Sequence, residues 1–251
     1  MKGIGIHSGR EVEVTFQAAA PGSGIRFIKD GQEIPAMIDR LTETTRGTTL
    51  GGIAVVEHLL AALGGLEIED LNIIVNGAEL PILDGSALPF VEELIKAGFT
   101  NKPKTKQPLR LSRPIKVIDG EASLEARPYN GFKVDFMVNF PIAGEQRLVF
   151  DGARDDFATE LAPARTFGYV AELDLLKSRG LARGASLENA LVIGQDGYLN
   201  QPRFPDEVVR HKILDLIGDL MLLGRPLRAE IVAVRSGHKL NAELVRRLLE
   251  Q

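Results

Sequence analysis

The 251-residue chain contains no cysteine. Disulfides and thiolate metal ligands are therefore excluded, and any transition-metal site must use histidine, aspartate or glutamate. Positive charge is not in surplus either: 30 Lys and Arg face 34 Asp and Glu, a formal net charge of −4. Nothing in that balance marks a nucleic-acid partner. No apolar run is long enough to span a bilayer. The start, from Met1 to His7, lacks the apolar core and cleavage site of a signal peptide. The expectation is a soluble, cytoplasmic protein with no stable membrane insertion. A lipid-derived substrate can still reach such a protein through an apolar groove. Low-complexity segments are absent, and histidine is scarce, with four in the chain.

What is present is ordinary globular composition, 44% apolar and 25% charged, enough for one large domain or two modest ones. Residues 11–19 alternate apolar and polar, the period of a half-buried strand, and short strand-like runs follow at 24–29, 34–41 and 71–76. Residues 55–63 and 89–97 predict helices, the first ended by Gly64-Gly65 and the second started by Pro89 and stopped by Gly98. The polar segment 100–108, TNKPKTKQP, reads as a linker. Beyond it, strands are predicted at 109–118, 122–127, 132–139, 146–150, 190–194 and 229–235. An amphipathic helix is predicted over 170–179, a long helix over 206–223 and a closing amphipathic helix over 240–250. Both halves run from strands into two helices with a strand nearby, without a residue-level repeat. That order suggests two α+β units, each a sheet covered by helices.

The four histidines are His7, His58, His211 and His238. His211 opens HKILD, with Asp215 four residues on. Positions i and i+4 of a helix differ by only about 40° around the axis, so both side chains leave one face and can hold one ion. Asp219 continues that stripe, Lys212 lies beside it, and Val209, Ile213, Leu216, Ile217 and Leu220 form an apolar face. Taken alone, this spacing more often marks a solvated polar face. His58 lies in the apolar helix VVEHLLAAL next to Glu57. A lone histidine there is usually a satisfied core residue. Two adjacent ionisable groups in such a helix are costly unless something compensates their charge, and a metal would. His58, His211 and Asp215 make a three-ligand set with a position left for water, and Glu57 stands where a general base is needed. His238, after a strand in VRSGHKL, reads as either a turn or capping residue or a general acid. His7, in GIHSG, is as readily structural as functional.

Several longer segments resemble a known family. GIGIHSG (3–9), TTLG (48–51), VEHLLAAL (56–63), PILDGSALPF (81–90), ARTFG (164–168), SLENALV (186–192), DEVVRHKILDLIGDL (206–220) and SGHKLN (236–241) occur in the order found in the UDP-3-O-acyl-N-acetylglucosamine deacetylases of Gram-negative lipid A synthesis. The resemblance runs nearly end to end. It implies a zinc-dependent hydrolase that removes the N-acetyl group from the acylated UDP-amino sugar and releases acetate. It implies His58, His211 and Asp215 as zinc ligands, Glu57 as general base and His238 as general acid oriented by Asp219. Lys212 would bind substrate and stabilise charge, Thr166 would hydrogen-bond the carbonyl or oxyanion region, and Phe167 would line the site. The implied fold is α+β, two β-α-α-β layered domains packed face to face, each with a small inserted subdomain. The domains would be residues 1–104 and 105–251, with a βαβ insert near 167–194. Its leucines, Leu181 and Leu191 among them, would hold the fatty chain. Only Met1 and Lys2 precede GIGIHSG, where members carry a short strand-forming segment, so a first sheet without that edge strand is expected. The partner is a small molecule and the expected assembly a monomer. His and carboxylate ligands suit iron(II) as well as zinc. Three rival readings stand beside this one: the same fold acting on a soluble acetamido sugar, a homologue that binds without catalysing, and a structural account of all four histidines, which leaves the Glu57–His58 pair unexplained.

Overall fold

The computed structural model describes residues 1–98 and 106–251. The elements of the first part are β1 (Lys2–Ile4), β2 (Glu11–Ala18), β3 (Ile25–Lys29), β4 (Gln32–Pro35), β5 (Leu41–Glu43), β6 (Thr49–Leu50), α1 (Glu57–Gly65), β7 (Leu71–Val75) and α2 (Leu88–Lys96). Along β2, Val12 and Val14 are buried while Glu11, Glu13 and Thr15 are exposed, the alternation its sequence predicts. The sheet order is β1-β2-β7-β3-β4, with β3 parallel to β7 and the other pairs antiparallel. Residues of the GIGIHSG motif and Lys2 themselves supply the edge strand: Gly3 pairs with Val12. The expected strand over 34–41 is instead the end of β4, a 3-10 turn at Ile38–Arg40 and the start of β5.

The remaining elements are β8 (Leu109–Arg110), β9 (Ile115–Asp119), β10 (Ala122–Pro128), β11 (Phe132–Phe140), β12 (Gly144–Asp151), α3 (Phe157–Glu160), β13 (Phe167–Tyr169), α4 (Val170–Ser178), β14 (Leu191–Ile193), α5 (Glu207–Leu220), β15 (Leu227–Val234) and α6 (His238–Leu249). Their main sheet runs β12-β11-β15-β10-β9, with β8 paired to β15. The predicted strand 109–118 breaks before Pro114, which has no N–H to donate to a ladder. β13 and β14 pair in parallel with α4 between them, a small βαβ unit. The expected linker and the boundary at 104/105 fall largely on residues 99–105, outside the described residues.

Helix α6 is amphipathic as predicted, burying Leu240, Leu244, Val245 and Leu248 and exposing Arg246 and Arg247. Helix α4 departs from the expectation: none of its residues is buried. Helices α1 and α5 are buried along nearly their whole lengths, which requires other elements on all sides. They pack against each other, α5 also covers β11 and β12, and α6 covers β9 and β10. The buried faces of both sheets and of α1, α2, α5 and α6 share one hydrophobic core.

The α1–α5 contact depends on Gly218. A Cβ at this position would overlap the Glu57 backbone carbonyl. The helices can therefore meet backbone to backbone, and the α5 stripe of His211, Asp215 and Asp219 comes to face the first turn of α1. Gly218→Ala should lower stability by about 1–3 kcal/mol in urea unfolding, because helix packing has no room to absorb the methyl. A change near zero would mean that the two helices separate freely.

Candidate metal centre and active site

The first turn of α1 carries Glu57 and His58, and α5 carries His211, Lys212, Asp215 and Asp219. His238 is the first residue of α6. Glu57, His58, His211, Asp215 and Asp219 are all buried. The stripe that the α5 sequence could equally assign to solvent is thus enclosed. It is covered by α1, whose apolar sequence demands burial.

His58 Nε2 lies 3.8 Å and His211 Nε2 3.3 Å from Asp215 Oδ1. Ligand atoms of these three residues lie within 4.8 Å of one another. Asp215 Oδ1 is buried and has no hydrogen-bond partner among the described residues. Leaving such an atom unsatisfied is costly, and two imidazole nitrogens face it. His211 Nδ1 is 3.1 Å from the Ala164 carbonyl oxygen and donates to it in the tautomer that leaves Nε2 a lone pair. Burial, with His211 alongside, pushes the His58 pKa down to about 3, and burial also lowers that of His211. Both rings are therefore neutral near neutral pH, the form that binds a metal. Burial opposes ionisation of Asp215, but His211, once protonated in acid, together with Lys212 and His238 holds its carboxyl below the usual range. Lys212 Nζ donates to Asp215 Oδ2 at 2.8 Å, leaving Oδ1 free. The residues present thus fit a metal ion: two neutral imidazoles, one carboxylate and an unsatisfied oxygen between them.

Two proton-carrying groups stand beside this set. Burial pushes the Glu57 pKa up to about 7, against the pull of His238. His238 behaves oppositely. Burial and its place at a helix N-terminus both disfavour a cation, yet Asp219 and Asp215 outweigh them and raise its pKa to about 9. His238 Nδ1 donates to Asp219 Oδ2 at 2.8 Å, while its Nε2 faces Glu57 Oε1 at 3.9 Å and Asp215 Oδ2 at 3.8 Å.

A cavity of about 960 Å³ opens from this cluster. His211, Lys212, Asp215, His238, Thr166 and Phe167 line its inner end, and Phe140, Ile142, Val170, Ile193 and Leu199 give it an apolar wall. Two anticipated wall residues lie elsewhere. Leu191 is fully buried in the core at the inner end of β14, and the next residue on that face, Ile193, meets the cavity instead. Leu181 follows α4, which meets the cavity at Val170–Glu172 and carries the chain about 13 Å onward at 1.5 Å per residue. His7 also stays out of the cluster. Its Nε2 lies 3.1 Å from the Arg46 carbonyl oxygen and its Nδ1 accepts from the Ala182 N–H at 3.4 Å, so the ring ties two loops together.

Sequence reasoning assigns no role to Thr48, Ser236 or Asn241, although all three lie in quoted motifs. All are buried. Asn241 Nδ2 donates to Asp219 Oδ2 at 2.8 Å, and Ser236 Oγ donates to Asn241 Oδ1 at 2.7 Å. The local signal for Asn241 is its place in the polar first turn of the amphipathic helix α6; nothing local marks Thr48.

The fold and the cluster define a class: an α+β protein with a buried His/His/Asp centre of metal-binding chemistry, opening into an apolar-walled cavity. A family model described as UDP-3-O-acyl N-acetylglycosamine deacetylase matches residues 1–250. The chain belongs to that family. It is 41% identical to the UDP-3-O-acyl-N-acetylglucosamine deacetylase of Myxococcus xanthus, over 99% of this chain and 83% of that protein. It is 40% identical to the enzyme of the same name from Coxiella burnetii, over 98% of this chain and 86% of that one. A Lawsonia intracellularis relative of that name is 41% identical, over 99% and 86%. Among the described residues, no helix is long and apolar enough to cross a membrane.

His211→Ala and Asp215→Ala should each weaken divalent-metal binding at least about tenfold, since each removes one of three candidate ligands. Metal content after dialysis against a chelator checks this. Parent-like retention in both variants would sink the assignment.

Proposed function

We propose that the chain hydrolyses the N-acetyl group of UDP-3-O-acyl-N-acetylglucosamine and releases acetate in lipid A biosynthesis, with zinc held by His58, His211 and Asp215. Family membership supports the reaction, and the unsatisfied Asp215 Oδ1 facing two imidazole nitrogens carries the site. The 3.3 and 3.8 Å separations approach the roughly 3.3 Å edge of a tetrahedron of zinc-sized bonds. The same reading makes the protein a cytoplasmic monomer acting on a small molecule. It divides the chain into units 1–104 and 105–251, each supplying part of the ligand set.

Zinc in that position supplies Lewis-acid chemistry, polarising a carbonyl and acidifying a water. The chain's own residues do the rest. Glu57, whose carboxyl titrates near neutrality, takes the proton from the attacking water. As the carbonyl carbon becomes tetrahedral, its oxygen gains charge beside the Lys212 ammonium and within the part of the cavity lined by Thr166. The carbon–nitrogen bond then breaks, and the departing nitrogen needs a proton because an amide anion is a very poor leaving group. His238, protonated up to about pH 9, gives that proton from Nε2 while Asp219 holds Nδ1. The products are acetate and a free amine. The wall of Phe140, Ile142, Val170, Ile193 and Leu199 suits a fatty chain and has no use for a bare acetamido sugar, which favours the acylated substrate.

Glu57→Ala should keep its metal and lose about 10²–10⁴-fold in turnover, the usual contribution of a positioned base. Acetate release with near-parent turnover would mean that another group takes the proton. The pH profile supplies a separate check. Activity should rise as Glu57 ionises and fall as His238 deprotonates, giving a bell. A cation beside Glu57 favours its charged form, so the acidic limb should lie below about 7 in the loaded protein. Asp219→Asn removes a charge that raises the His238 pKa and should shift the basic limb to lower pH. His238→Gln should flatten that limb with metal intact; an unchanged limb would remove His238 from its role.

A further inference from the structure

Thr48 lies on the segment that precedes α1 and is 1% exposed. Its neighbours are the groups assigned to proton transfer. The Thr48 backbone N–H donates to Glu57 Oε2 at 2.9 Å. Its hydroxyl donates to Asp219 Oδ1 at 2.5 Å, and the same oxygen lies 3.3 Å from His238 Nδ1. Its carbonyl oxygen accepts from the Val56 N–H at 3.1 Å, at the entry to α1. One residue thus touches the base, the acid and the carboxylate that orients the acid.

We propose that Thr48 is a positioning residue of the deacetylation reaction, whose hydroxyl fixes the Asp219–His238 pair while its backbone N–H aims the Glu57 carboxylate. The proposal rests on the functional reading above. The geometry assigns a separate partner to each oxygen of Asp219. Oδ2 takes the Asn241 amide and the His238 Nδ1–H. Oδ1 takes the Thr48 hydroxyl. Without that third contact the carboxylate can rotate about its Cβ–Cγ bond and His238 loses its fixed orientation. The backbone contact to Glu57 survives any side-chain change, so a hydroxyl deletion isolates the acid side of the site.

The partners that orient reactive groups from behind typically contribute 10–100-fold. Thr48→Val removes the hydroxyl while keeping the branched shape, and Thr48→Ser keeps the hydroxyl. In the metal-loaded protein, Thr48→Val should lower kcat for acetate release about 10–100-fold with KM and metal content near parent values, and Tm should fall only by what the loss of one buried hydrogen bond costs. Thr48→Ser should recover most of kcat. A second measurement needs no substrate. In the metal-free protein, the His238 Nδ1–H proton resonance should be downfield and slow to exchange in the parent and in Thr48→Ser. In Thr48→Val it should move upfield or broaden.

Parent-like kcat and an unshifted resonance in Thr48→Val would overturn the proposal. So would equal losses in Thr48→Val and Thr48→Ser, or a kcat loss matched by loss of metal, since each points to packing instead of the hydroxyl. A parent protein unable to release acetate from the acylated UDP sugar would overturn the functional reading alone. The ring-proton comparison would still decide whether Thr48 holds the pair.

Discussion

Everything in the site depends on two helices meeting without a side chain between them. Gly218 lets α5 approach the Glu57 backbone, and that approach joins two groups of residues distant in sequence. From α1 come the proposed base and one imidazole; from α5 come the second imidazole, the carboxylate that faces both and the carboxylate behind His238. The apolar rows of both helices enter the shared core, so hydrophobic burial holds the polar cluster together although the cluster itself resists burial.

That resistance sorts the ionisable groups. Burial lowers both ligand histidines into their neutral form and raises Glu57 toward neutrality. Only where opposite charge is close does burial lose, as at His238 beside Asp219 and at Asp215 beside Lys212. The proposed base and acid, with pKa values of about 7 and about 9, are thereby both in working form between them. No special residue types are needed. One enclosed volume, with carboxylates placed unevenly, accounts for the division of roles.

Much of this was legible in the sequence. The apolar run around Glu57 and His58 requires burial, and the His211–Asp215 spacing puts both groups on one face. What local pattern could not decide was whether the α5 stripe meets water, because its cover is α1 from the other half of the chain. Thr48 was hidden for the same reason: its partners Asp219 and His238 lie 171 and 190 positions away. The short strands β5, β6 and β13 have two or three residues each, too few to show a period. Leu181 and Leu191, expected along the acyl passage, are not among the residues that line the cavity, because being apolar and lying in the insert do not say which way a side chain faces. The resemblance to the family supplied roles that spacing alone left open, and the domain boundary lies outside the described residues.

Helix α4 touches the cavity with Val170, Ala171 and Glu172 yet sends no residue into the core. The part of the molecule that would meet the acyl chain under the proposed function is thereby uncoupled from the part that keeps it folded. Substitutions along α4 can reshape the channel while leaving the stability of the two sheets nearly untouched. Changes in the shape of the cavity at this helix can accumulate by single steps, each compatible with a folded protein.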